Sequence, residues 1–216
     1  MGNVAGTAGR VPPQRVLFVC RANVCRSPLM AAAFAQAVGD DGVPWRIESR
    51  GTDVVRSTVV CEIAADLAGD PATAGAKSRA LNSRHIDNAD LVVVSSLRER
   101  AMVTQLVPSA RGRVFTLREA LHLAKESGTD GRGQRQSGHS SVRAFAEHLD
   151  ARRGLVPIPE PRSYRFLRLR TEHPYDVPDV HGASQRRHRR VLEETREAAH
   201  ALGNEAAAFV AGAATQ

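Results

Sequence analysis

Arg15-Val16-Leu17-Phe18-Val19-Cys20-Arg21-Ala22-Asn23-Val24-Cys25-Arg26-Ser27-Pro28 is the stretch that decides the fold. After Arg15 it opens with an unbroken apolar run, the pattern of a parallel strand buried on both faces. Ser27 and Pro28 then read as the N-cap and first residue of a helix over Leu29 to Val38, closed by Gly39. Strand, short loop and helix in direct succession open an α/β unit.

Outward from this unit the alternation continues. Trp45 to Arg50 reads as a second strand, Ser57 to Ala68 as a helix, and Asp90 to Ser95 as a third strand buried like the first. Ser96 and Glu99 have the spacing of a capping box for a helix to about Val107, and Arg113 to Leu117 supplies a fourth strand. A last helix from near Ser184 to Leu202 keeps Val191, Leu192, Thr195, Ala198, Ala199 and Leu202 on one face. The expected fold is a single α/β domain over residues 15–203: a four-stranded, mostly parallel sheet flanked by helices, with a phosphate-binding loop after strand 1. Residues 1–14 read as a flexible lead, 204–216 as a C-terminal tail, and about 127–172 as a basic insertion. Within that insertion, four Gly and four Ser among residues 127–141 predict a loop. Residues 142–153 predict a short helix, and Pro157, Pro159 and Pro161 an extended connection.

The chain has 216 residues, 42% hydrophobic and 25% charged, which excludes disorder, a collagen-like chain and, with three cysteines, a disulfide scaffold. Aromatics make up only 4%, so the core is expected to be aliphatic. The net charge of +7 is carried by 28 Arg and two Lys, with nine Arg in residues 131–170. No nucleic-acid-binding motif accompanies that basic stretch, so it reads as a solvated loop, and nucleic acid is not an expected partner. Met1 to Gly6 lacks a leader-like apolar run, and no stretch approaches the roughly 18 to 20 apolar residues that span a bilayer. The expected setting is therefore cytoplasmic, with reduced thiols and no membrane contact. There is no Cys-x-x-Cys pair, the eight His are scattered, and no Gly-x-x-x-x-Gly-Lys occurs, so neither a metal nor another cofactor is expected.

Cys20 and Arg26 are separated by five residues. In so Arg-rich a chain that spacing alone is weak, and its context gives it meaning. Ligands of open α/β sheets bind outside the carboxyl ends of strands, and here that position meets a helix start. A loop there aims the backbone N–H groups of Arg21, Ala22, Asn23, Val24, Cys25, Arg26 and Ser27 at one point, a site for a tetrahedral dianion. The helix N-terminus and the neighbouring Arg favour Cys20 as a thiolate nucleophile. Arg26 forks two hydrogen bonds onto phosphate oxygens, and Ser27 donates to the thiolate as it departs. Cys25 is set against Cys20 as a redox partner, because a loop that wraps one anion brings its ends close.

Cys20 to Pro28 resembles the signature of the low-molecular-weight protein tyrosine phosphatases and their arsenate reductase relatives, with Ala22 where the family usually has Gly. The similarity runs through Glu48-Ser49-Arg50-Gly51-Thr52, Ser78-Arg79, Asn88-Ala89-Asp90-Leu91 and Asp176-Val177-Pro178-Asp179, about 150 residues in all. The resemblance implies that Ser49 supports the loop and that Asp179 is the general acid, with Val180 where the family has Pro and Asp176 as the competing carboxylate. Ala76 stands where the family commonly braces the loop with His. Val54 or Val55 on one side, and Val180 and His181 on the other, replace the aromatic walls of the phosphotyrosine slot. The implied activity is a phosphomonoesterase that hydrolyses protein phosphotyrosine through a cysteinyl-phosphate. The alternatives are an arsenate reductase coupled to a small-molecule thiol and a catalytically weak module binding phosphoprotein or nucleic acid. The partner is then a phosphorylated protein or a small phosphate ester. Val24, lacking a hydroxyl, favours an aryl group over a guanidinium-linked phosphate.

Overall fold

The computed structural model describes residues 12–40, 42–125, 141–159 and 173–212. Strand β1 (Gln14–Cys20) leads into helix α1 (Arg26–Val38) and β2 (Trp45–Gly51). Three short helices, α2 (Glu62–Ala68), α3 (Pro71–Ala74) and α4 (Ser83–Asp87), precede β3 (Leu91–Val94). Helix α5 (Leu97–Leu106), a 3-10 turn (Pro108–Arg113), β4 (Val114–Thr116), α6 (Leu117–Lys125), α7 (Val142–Arg152) and α8 (Gln185–Ala211) complete the order. The strands lie as β2-β1-β3-β4, and every pairing is parallel. From β1 the chain goes to β2 on one side and later to β3 on the other. The carboxyl end of β1 is thus the switch point of the sheet, where diverging connections leave a crevice.

Alternate residues of β1 serve two cores, which is why its sequence is apolar without a break. Val16 and Phe18 pack with Met30, Phe34, Leu123, Phe145 and Leu202 under α1, α6, α7 and α8. Leu17 and Val19 pack with Ile86, Val103 and Ala110 on the opposite face. The core is not purely aliphatic: Phe18, Phe34 and Phe115 are fully buried, and the rings of Phe18 and Phe34 meet at 5.4 Å between centroids. These three rings are spent at the centre of the domain.

Several boundaries depart from the sequence reading for local physical reasons. Helix α1 begins at Arg26 with Cys25 in the cap position, so Ser27 and Pro28 are its second and third residues. The Ser27 hydroxyl is engaged by Cys20 and Asn23 instead of capping, and a Pro in the first turn forfeits no helical hydrogen bond. Helix α2 starts at Glu62, later than Ser57, because Thr58 O accepts from Ser78 N at 2.8 Å and Val60 N donates to Ala76 O at 3.0 Å. Ser96 caps α5 by accepting from Arg98 N, but Glu99 accepts from the hydroxyls of Ser95 and Ser96, not from backbone.

Helix α8 runs to Ala211, well past Leu202, because Ala206 and Val210 extend the buried stripe of Leu192, Thr195, Ala199 and Leu202. Residues 204–211 therefore belong to the packed domain and are not a tail. At Gly203 the backbones of α1 and α8 nearly touch: a Cβ there would stand 2.6 Å from Ala37 Cβ and 3.0 Å from Phe34 O. Of the expected basic insertion, residues 127–140 and 160–172 lie outside the described residues. Its middle is core, since α7 buries Val142, Phe145, Ala146 and Leu149. Gln14, expected at the end of the lead, is also buried and accepts from Val142 N at 2.7 Å. Among the described residues no helix is long and apolar enough to cross a membrane.

Candidate active site

The turn from Cys20 to Ser27 is held from one side by the end of β2. Cys20 is the register partner of Gly51, Thr52 N donates to Cys20 O at 3.0 Å, and Asp53 N donates to Arg21 O at 2.8 Å. Gly51 is required by this closeness. A Cβ there would lie 2.6 Å from Val54 Cγ2, 2.7 Å from Arg21 O and 2.9 Å from Ala22 C.

Asn23 is the second anchor. With a φ of 56° it is the only non-glycine residue with positive φ among the described residues, a left-handed conformation that Asn tolerates because its short polar side chain can bond locally. Its Oδ1 accepts from Arg79 N at 2.9 Å, while Nδ2 donates to Ser27 Oγ and to Ser49 Oγ, each at 2.9 Å. These bonds tie the loop to Ser49 and to the backbone of Arg79, with no His at position 76. Ala22 is exposed and takes no positive φ, so its methyl group imposes no backbone strain.

The Cys20 sulfur lies 3.1 Å from Ser27 Oγ and accepts from Asn23 N at 3.3 Å. Because Asn23 Nδ2 fills a lone pair of Ser27, the hydroxyl proton is left for the sulfur or for Arg50 O at 3.3 Å. The first helical bond of α1 runs from Leu29 N to Cys25 O, so the N–H groups of Arg26 and Ser27 precede any intrahelical acceptor. The result is a sulfur at the positive end of the helix whose first residue is Arg26.

That guanidinium is buried. Arg26 Nη1 donates to Val177 O at 3.3 Å, and Nη2 pairs with Asp179 Oδ2 at 2.7 Å. Asp179 is half exposed and turned toward the loop. Asp176 is committed elsewhere: its Oδ1 accepts from Leu97 N at 2.8 Å at the start of α5, and its backbone O accepts from Arg118 Nη1. Val180 is buried and Val55 stands 87% exposed, so neither forms a flat wall beside the loop. A pair that sequence reasoning missed lies at the rim, where the Arg21 side chain turns out to Asp53 at 3.1 Å.

Behind the loop, Cys25 Sγ lies 3.1 Å from His181 Nδ1, and Cys61 Sγ lies 4.0 Å from His188 Nε2. Val24 O accepts from Cys61 N at 2.9 Å, tying the loop to the start of α2. A hydrogen bond from Cys25 brings the Cys61 thiol down to about 6. The same bond, followed by burial, pushes Cys25 up, so Cys61 ionises first. No sequence spacing announced this group, because its members belong to four separate segments.

Residues 15–130 match the family model described as low molecular weight phosphotyrosine protein phosphatase. The chain belongs to that family. It is thus a cysteine-dependent phosphatase, with the family's α/β fold. It is 32% identical over 120 residues to a protein-arginine-phosphatase of Geobacillus stearothermophilus, covering 55% of this chain and 76% of that one. It is also 48% identical over 44 residues to the low molecular weight phosphotyrosine protein phosphatase of Rattus norvegicus, covering 19% and 28% of the two chains. Among solved structures, the low molecular weight protein tyrosine phosphatase from T. tengcongensis superposes with a TM-score of 0.57 at 18% identity, over 88% of this chain and 97% of that one. The YwlE arginine phosphatase from Geobacillus stearothermophilus gives 0.55 at 22% identity, over 88% and 91%. At these identities the structural likeness concerns the fold.

Proposed function

We propose that the chain hydrolyses phosphotyrosine in proteins, in a cytoplasmic setting, through a phosphocysteine formed on Cys20. The observation that carries this reading is that the Cys20 sulfur lies against Ser27 in the first turn of α1 while buried Arg26, in the same turn, holds the Asp179 carboxylate. The phosphoryl group takes the place of Asp179 on Arg26, so its oxygens gain the guanidinium and the loop amides of residues 21–27 while the carboxyl is released. Cys20 attacks phosphorus in line, and the departing phenoxide takes the proton of Asp179. Asp179, now a carboxylate, accepts a proton from the water that attacks phosphocysteine, and Ser27 donates to the thiolate that leaves. That all three cysteines are free supports a reducing setting.

A second substrate class has one specific support, the likeness to a protein-arginine-phosphatase over 120 residues. Against it stands Val24, which offers no hydroxyl and packs toward Val60 and Ala64. Parallel assays on phosphotyrosine and phosphoarginine peptides decide. Higher kcat/KM on phosphotyrosine is expected, with a high KM because aromatic walls are missing; preference for phosphoarginine reverses the assignment. Cys20→Ser is expected to abolish turnover while still binding phosphate, and Arg26→Ala to lose both; a Cys20→Ser enzyme with near wild-type turnover overturns the mechanism.

A further inference from the structure

Cys25, Cys61, His181 and His188 each place one donor atom within 4.8 Å of the other three. They arrive from the cap of α1, the cap of α2, the segment that carries Asp179, and the first turn of α8. The two imidazoles meet edge-on, with ring centroids 5.7 Å apart and planes at 87°. We propose that these four side chains form a Zn2+ site whose donors are distinct from Cys20, Arg26 and Asp179.

Two sulfurs and two imidazole nitrogens are the donor set of a closed tetrahedral zinc centre. With Zn–S near 2.3 Å and Zn–N near 2.0–2.1 Å, such a tetrahedron has edges of about 3.3 to 3.8 Å. The distances of 3.1 Å from Cys25 Sγ to His181 Nδ1 and 4.0 Å from Cys61 Sγ to His188 Nε2 bracket that range. Closing on a metal asks for side-chain shifts of well under an ångström. A Cys25–Cys61 disulfide would use the sulfurs but gives no reason for two imidazoles to converge on them. Plain core packing gives none either, since burying the His188 ring against a thiol costs what an apolar side chain would not.

The surroundings also suit a metal. Leu29, Val60, Ala64 and Leu192 form an apolar wall around Cys25, while exposed His181 leaves a way in. Both sulfurs bind the metal as thiolates. Two thiolates and two neutral imidazoles then leave the centre without net charge, which removes the main cost of burying it. A loaded site ties the Asp179 segment and α8 to the phosphate loop.

The test uses the full chain, kept reduced with a phosphine and stripped of metal. Zn2+ is titrated against a chromogenic chelator, and Co2+ serves as the spectroscopic probe. One zinc per chain is expected, and the cobalt form should show the intense visible bands of a tetrahedral ion with thiolate-to-metal charge transfer in the near ultraviolet. Cys61→Ser and His188→Ala should each weaken zinc by at least about a hundredfold, the upper end of what loss of a mere supporting contact costs. Cys20→Ser should bind as the wild type does. Sub-stoichiometric zinc, an octahedral cobalt spectrum without charge transfer, or a loss of binding in Cys20→Ser each overturns the proposal; the wild-type spectrum decides even if a variant fails to fold. Failure of the phosphatase reading would show in the peptide assay and leave these readouts unmoved.

Discussion

Replacing Gly51 by Ala tests whether the phosphate loop owes its geometry to bare contact with the end of β2. The added methyl would sit 2.7 Å from Arg21 O and 2.9 Å from Ala22 C, both backbone atoms of the loop, and 2.6 Å from the movable Val54 Cγ2. Val54 can rotate away, but the backbone from Arg21 O to Ala22 C has no such freedom. It must retreat by about 0.5–0.8 Å to regain an ordinary van der Waals separation. Overpacking of this kind costs on the order of 1–3 kcal/mol of stability. The catalytic effect should be larger, because misplacing a reacting group by about 1 Å can cost on the order of a hundredfold in rate. The expected result is a fall in kcat on an aryl phosphate of roughly tenfold to a hundredfold, with a modest drop in the urea midpoint. Gly75→Ala is the control, since a Cβ there meets only Pro71 O at 3.7 Å. A Gly51→Ala enzyme with wild-type kcat would falsify the claim that the loop is positioned by this contact.

Asp179→Asn should slow esters with poor leaving groups far more than activated aryl esters, while Asp176→Asn mainly weakens the start of α5; the reverse ranking moves the acid to Asp176. The same Asp179→Asn variant removes the carboxylate that competes for Arg26, so inorganic phosphate should bind more tightly, by about twofold to fivefold for a half-exposed pair; weaker phosphate binding contradicts the displacement step. Gly203→Ala should destabilise the domain by roughly 1–3 kcal/mol in chemical denaturation, and an unchanged midpoint would deny the close crossing of α1 and α8. Burial holds His85, His148 and His188 below the ordinary imidazole value of 6.5. The unfolded chain therefore binds more protons just below that value, stability is lost as pH falls through it, and a melting temperature constant from about pH 7.5 to 5.5 speaks against this. In the metal-free chain, peroxide should oxidise Cys20 to a sulfenic acid, and the Cys25 thiol, once turned from His181, should attack that sulfur, release water and leave a reducible disulfide. Cys25→Ser should make the damage irreversible, and unchanged recovery would pass the resolving role to Cys61 or an external thiol.

The sheet was readable because burial on both faces leaves β1 and β3 as apolar runs that no helix or loop imitates. The anion loop was readable because its parts are contiguous, from Cys20 to Ser27. Ser27 was misplaced as a cap because a hydroxyl at a helix start has two uses, and only the fold shows that the Cys20 sulfur and Asn23 claim it. Helix α7 was readable as the short helix over residues 142–153, but its place in the core was not, because the Arg residues around Val142, Phe145, Ala146 and Leu149 made the stretch read as a solvated insertion. Cys61, His181 and His188 carried no signal as one group. Metal-ligand spacing is a property of short local motifs, and these residues are gathered by the docking of α8 and α2 onto α1.

The two halves of the site differ in how far along the chain their members lie, and this orders their formation during synthesis. Cys20, Asn23, Arg26, Ser49 and the backbone of Arg79 need only β1, α1, β2 and the strand-end bridge at Ala80. Asp179 is translated long afterwards, and closing so large a loop is entropically slow. A growing chain therefore displays a nucleophilic thiol in its anion cradle before it owns a proton donor. Such an intermediate would be poised to be phosphorylated on sulfur by activated aryl esters, yet slow to release the phosphate. Turnover begins only when α8 settles onto α1 at Gly203 and the segment ahead of α8 brings the carboxylate home.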